Sequence, residues 1–200
     1  AMPQAQDITD ETEATWKLYG LDDPVTEDFG WQCLMARRFA ERGVRFIQVS
    51  HSDSKVQWDQ HGNLPTQLAV QCRDTDQPSA ALVKDLKQRD MLDETLIVWM
   101  GEFGRTPDNG IRGGIKYGRD HNPDAMSIWL AGGGIRPGMT YGQTDDFSYN
   151  VATDAMHVHD LQATILHCLG IDHKRLTYRH EGRDHRLTDV GGEVVRPILS

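Results

Sequence analysis

Three short polar stretches hold the side chains best suited to chemistry: Trp58-Asp59-Gln60-His61-Gly62-Asn63, Gly101-Glu102-Phe103-Gly104-Arg105-Thr106-Pro107 and Gly118-Arg119-Asp120-His121-Asn122-Pro123. Together they supply Asp59, His61, Glu102, Asp120 and His121. Carboxylate oxygen with imidazole nitrogen is the donor set of a divalent ion: zinc, manganese, magnesium or calcium. Arg105 and Arg119 stand beside those carboxylates and offer planar forks for an oxyanion such as sulfate or phosphate. The flanking glycines let backbone approach a ligand closely. A purely structural use remains open for each residue: Asp59 as a loop cap, His61 as a surface histidine, and Glu102 in a salt bridge with Arg105 or Arg119.

Other candidates rank lower. His51 is a second-line ligand, His157 and His159 read as cap or surface residues before a helix, and His167 reads as packed within it. His173, His180 and His185 lie in a charged tail and read as solvated. Cys33, Cys72 and Cys168 are an odd number, widely spaced and in no CxxC pair, which argues against a disulfide framework and a cysteine zinc site. The hydroxyls nearest to a nucleophile's context are Thr106 and Ser52.

The elements that must position these groups follow from apolar spacing. Helices are expected at about Thr9–Tyr19, Glu27–Arg42 (stopped by Gly43), Gln67–Arg89 (restarted at Pro78) and Asp160–Leu169, with Asp160 as N-cap and Gly170 as stop. Strands are expected at Val44–Ser50, Thr95–Met100 and Ala125–Ala131. Near-continuous apolar strands alternating with helices indicate an α/β fold with a mostly parallel central sheet covered by helices. In such sheets ligands bind beyond the carboxyl ends of the strands; two of the polar stretches follow expected strands and the third stands just before Ala125–Ala131, so all three fall at strand ends. The organisation expected is a single α/β domain fragment: a helical lead-in over 1–26, a body over 27–190 and a tail over 191–200.

Composition bounds the function. The chain has 200 residues and a formal net charge of −9, which speaks against wholesale binding of nucleic acid or of an anionic membrane. No apolar run approaches the length of a membrane span, and the acidic start has no signal-peptide pattern.

The stretches WDQHGN, LDETLIVWMGEFGRTP, GRDHNPDAMSIWLAGGGIRPG and HVHDLQATILHCLGID resemble the sulfatase-like domain-of-unknown-function 1501 family, within the alkaline-phosphatase-like superfamily, over about Phe29 to the C-terminus. The resemblance implies a metal-dependent hydrolase of sulfate or phosphate esters, with Asp59, His61, Glu102 and His121 as ligands and Asp120 as ligand or orienter. It also implies Arg105 and Arg119 on the developing charge, a small-molecule or glycan ester as substrate, and a periplasmic or secreted location. Two departures stand out. Phe103 occupies a position where the superfamily carries a ligand, and no stretch matches its first strand with the early Asp and the nucleophile. The chain is therefore expected to be an inactive C-terminal portion, with an uncovered sheet edge that could pair in a homo-oligomer. The alternative is a non-catalytic member that binds a sulfated glycan or a partner protein.

Overall fold

Thr12 starts the first helix by turning its hydroxyl back to accept the Thr15 N–H at 3.1 Å, and Gly20 ends it at φ 70°. The computed structural model in which this is seen describes residues 6–51, 57–109 and 117–200. The chain forms two compact units: Ala1–Met91 with Thr106–Asp120, and Leu92–Arg105 with His121–Ser200.

The first unit is helical: α1 (Glu13–Tyr19), α2 (Glu27–Glu41) and α3 (Leu64–Gln88). Its core gathers Tyr19, Leu21, Phe29, Cys33, Leu34, Met35 and Ala81, the apolar face that the 3.6-residue spacing of α2 requires. Gly30 is forced by packing, because a Cβ there would run into the Tyr19 carbonyl. The helix expected to restart at Pro78 instead runs through it. Pro78 is fully buried, and burial of its ring outweighs the missing N–H donor.

Charge is buried beside that core. Arg37, 2% exposed, meets Glu11 at 2.8 Å, Glu41 at 2.7 Å and Asp85 at 2.9 Å. Tyr19 donates to Asp85 at 3.0 Å, Arg89 reaches Asp85 and Glu41 at 2.7 Å each, and Arg38 pairs with Asp10 and Glu11. Burial alone lowers the pKa of Arg37, but its hydrogen bonding to Glu11 and Glu41 and the charges of Glu41 and Asp85 more than offset this and hold it raised.

The second unit is built from short hairpins and one helix. Strands β1 (Ile97–Trp99) and β4 (Trp129–Ala131) pair antiparallel, as do β2 (Gly104–Arg105) with β3 (His121–Asn122), β5 (Gln143–Thr144) with β6 (Val151–Thr153), and β7 (Thr177–His180) with β8 (Arg183–Arg186). Helix α4 (Val158–Cys168) begins with a capping box. His157 is the N-cap, its Nδ1 accepting the His159 N–H, and Asp160 reaches back to the His157 N–H at 2.9 Å. The cap role of His157 agrees with the sequence, while Asp160 sits three residues inside rather than at the cap. Thr164 then accepts the Val195 N–H at 3.0 Å, tying the helix to the C-terminal segment.

The expected alkaline-phosphatase-like α/β fold with a mostly parallel central sheet is therefore corrected. Among the described residues there are four helices and only two-stranded antiparallel sheets. The physical reason is visible in the strands themselves. TLIVWM and AMSIWLA read as buried parallel strands, yet they pair with each other head to tail and leave Trp99 41% and Trp129 37% exposed. Val44–Ser50, β-branched but without a ladder partner among the described residues, forms no strand. His173, expected in solvent, is buried with Nδ1 2.9 Å from the Thr188 hydroxyl, whereas His167 is exposed. No described helix is long and apolar enough to cross a membrane.

Candidate metal centre

Backbone hydrogen bonds in the first unit bring two of the three polar stretches side by side. Arg119 N–H donates to the Gln60 carbonyl at 3.0 Å, and Leu64 N–H to that of Tyr117 at 2.8 Å. Between these rungs lies Gly118. A Cβ on it would collide with the His61 carbonyl, so only glycine allows the two segments this approach. Further along, Asp120 N–H donates to the Asp108 carbonyl at 3.1 Å, and Thr106 N–H to that of Asp120 at 2.8 Å.

This places His61 between two carboxylates. Its Nε2 is 3.0 Å from Asp59 Oδ1, and its Nδ1 is 3.6 Å from Asp120 Oδ1. The side chains of His61 and Asp120 are 19% and 16% exposed, while that of Asp59 is 50% exposed. The spacing suits a shared cation. Neighbouring ligands of an octahedral ion with bonds of 2.0–2.1 Å lie about 2.8–3.0 Å apart, and those of a tetrahedral zinc ion about 3.3–3.4 Å. An oxygen and a nitrogen at 3.0 Å fit the octahedral case closely and the tetrahedral one after a small opening. Asp120, on the side of the other ring nitrogen, would support the tautomer that turns the Nε2 lone pair toward a cation shared with Asp59. Among the described residues, Asp59, His61 and His121 are the group that could hold a metal ion. His121 follows Asp120 by one peptide bond, which holds their Cα atoms about 3.8 Å apart.

The remaining expected residues are engaged differently. Glu102 is 61% exposed at the side chain and pairs with Arg105 at 3.0 Å. The Arg105 guanidinium also lies 5.3 Å from the Phe103 ring centre, and Phe103 packs on His121 at 4.3 Å. Opposed positions on β2 and β3, Arg105 facing His121, generate this cluster. Arg119 is exposed and held through its backbone. The hydroxyl of Thr106 donates to the Asp108 carbonyl and accepts the Asp120 N–H, so it acts as a turn brace. Ser52 lies outside the described residues. His51 accepts the Trp58 indole N–H on Nδ1 at 3.0 Å and stacks edgewise on Phe29 at 5.1 Å, which spends one of its two nitrogens.

Sequence reasoning gave no role to Gln60, and it read Gly118 as a flanking glycine that lets backbone approach a ligand rather than a neighbouring segment. Gln60 is 4% exposed, and its Nε2 has no hydrogen-bond partner among the described residues. Only the glycine before Arg119 hinted at the close approach.

One family model, described as "Protein of unknown function (DUF1501)", matches residues 1–199. No curated protein and no solved structure matches the chain.

Proposed function

Starting from a chain that belongs to the DUF1501 family, we propose that it is a metal-binding member acting in the hydrolysis of sulfate or phosphate esters. The observation that carries this reading is His61 held between Asp59 and Asp120, one carboxylate at ligand-sharing distance and the other on the far ring nitrogen. Asp59, His61 and His121 would hold the ion, and Asp120 would orient the His61 ring. A bound divalent ion supplies Lewis acidity toward an ester oxygen and lowers the pKa of an attacking hydroxyl or water. Arg119, exposed and bearing a planar fork, would bind oxygens of the transferred group, and Arg105 would add positive charge from its place against Glu102 and Phe103.

A second reading has its own support. Arg105 is already engaged by Glu102, and the Thr106 hydroxyl is spent on backbone. Both features favour a non-catalytic member that binds a metal and an anionic glycan or partner without turning it over.

Elemental analysis of the purified chain and of an Asp59→Ala/His121→Ala double variant tests the metal, with about one divalent ion per chain expected in the first and none in the second. Turnover of aryl sulfate and aryl phosphate, with and without a chelator, then separates the readings. Chelator-sensitive turnover supports the hydrolase, and metal without turnover supports the binding module. A folded wild-type chain that takes up no divalent ion refutes both.

A further inference from the structure

The charge of this chain is sorted along its length. Residues 7–31 carry eight carboxylates and a single lysine, whereas Lys174–Arg186 carry five basic side chains against two acidic ones. Each stretch builds a surface. In the first unit, the segment around α1 and the start of α2 encloses a depression of about 390 Å³ lined by Trp16, Leu21, Pro24 and Trp31, with Glu27 and Asp28 on its rim. Trp16 and Trp31 are 36% and 38% exposed, and Val25 beside them 41%. Asp10 and Glu11 are used by Arg38 and Arg37 of α2, and Glu13 by Lys17. Asp22, Asp23, Glu27 and Asp28 meet no cation among the described residues. The result is an apolar, indole-walled groove with uncompensated negative charge, which favours guanidinium or ammonium groups twice over, by charge and by the faces of its rings.

In the second unit, the β7–β8 hairpin projects the opposite character. The side chains of Arg179 and Arg183 are 69% and 65% exposed, and each has only a loose acidic neighbour, Asp184 at 3.4 Å and Asp189 at 3.6 Å. Tyr178, stacked on His185 at 5.4 Å, gives the same hairpin an apolar ring that is 63% exposed. Lys174, Arg175 and Arg186 have no carboxylate partner among the described residues. A narrow two-stranded ribbon with cationic tips and one ring has the complement of the groove in charge and in polarity.

We propose that the acidic two-tryptophan groove of one copy of this chain receives the basic β7–β8 hairpin of a second copy, in a head-to-tail contact. Because the two surfaces differ, the contact is heterologous, and it either closes on itself, as a reciprocal pair or a larger ring, or runs on into open chains. Nothing in this contact draws on the proposed metal centre, and its failure leaves that reading untouched.

Sedimentation velocity of the full chain over a range of concentrations tests it. Concentration-dependent association into dimers or larger species is expected, weakened at least roughly tenfold between about 0.1 M and about 1 M salt, where the screening length falls from about 10 Å to about 3 Å. The Glu27→Lys/Asp28→Lys and Arg179→Glu/Arg183→Glu double variants should each be monomeric alone. Mixed together, they should associate again, since one supplies the intact hairpin and the other the intact groove. Trp31→Ala repeats the groove half without charge reversal, and circular dichroism confirms that each variant is folded. A wild-type chain that stays monomeric at all concentrations overturns the proposal. So does a folded variant that still associates alone, or a mixture that does not associate.

Discussion

Asp120 Oδ1 lies 3.6 Å from Nδ1 of His61, on the side of the ring opposite Asp59. With a cation between Nε2 and Asp59, a carboxylate on that side would favour the proton on Nδ1. Asp120→Asn keeps the volume and removes the charge. The expected outcome is a fall of roughly 10- to 100-fold in affinity for manganese or zinc, with unchanged stoichiometry. Titration calorimetry of both proteins checks this, and equal affinities would remove Asp120 from the site.

Gly118 sets the distance between the two segments that carry Asp59, His61 and Asp120. Gly118→Ala should push the His61 carbonyl away, because the added methyl has no room there. A loss of about 1–3 kcal/mol in folding stability is expected, together with weaker metal binding. Urea unfolding measured with and without metal separates the two effects, and an alanine variant with wild-type behaviour in both would show that the segments can part freely.

The helices were legible because apolar periodicity and terminal signals act locally. Gly43 at φ 80° and Gly170 at φ 73° end their helices where the sequence placed the stops. Strand partnering was not legible, because an apolar run such as TLIVWM satisfies a parallel or an antiparallel ladder equally well. The choice fell to the Gly132-Gly133-Gly134 turn after β4, where Gly133 packs so tightly on Leu96 that no side chain would fit. The metal group was partly legible. Asp59, His61 and His121 were named from residue type, but Asp120's place on the far nitrogen depends on backbone rungs between distant segments. Nothing in the sequence pointed to the buried Arg37 network, since Glu11, Glu41 and Asp85 are far apart along the chain.

That network gives a sharp stability test. Arg37 is 2% exposed and neutralises Glu11 and Asp85, which are 6% and 7% exposed. Removing the cation breaks three ion pairs at once and leaves Glu11 only Arg38 and Asp85 only Arg89, and Arg37→Ala is expected to cost about 3–5 kcal/mol. Arg73→Ala, on the exposed face of α3, should stay within about 0.5 kcal/mol. Chemical denaturation of the two variants reads the contrast, and comparable small losses would show that the buried pairs contribute nothing.

The turn between β5 and β6 is held by one carboxylate, and this makes its stability depend on pH. Asp145 accepts the N–H groups of Tyr149 at 2.9 Å, Phe147 at 3.2 Å and Asn150 at 3.0 Å, and the Asn150 side-chain amide at 3.0 Å. These bonds favour the ionised form, the Tyr149 N–H foremost and the Asn150 amide next, and hold the group below its ordinary value of 3.8. With the folded pKa depressed, the unfolded chain binds more protons in acid. The contribution is therefore complete above about pH 4 and is lost as pH falls through the folded value. Carboxyl NMR should show Asp145 titrating below 3.8, and amide exchange at Phe147, Tyr149 and Asn150 should accelerate, relative to its intrinsic rate, over that same interval. Asp145→Ala should abolish this pH dependence at all three amides. A midpoint at or above the ordinary value would mean that the turn does not prefer the charged side chain.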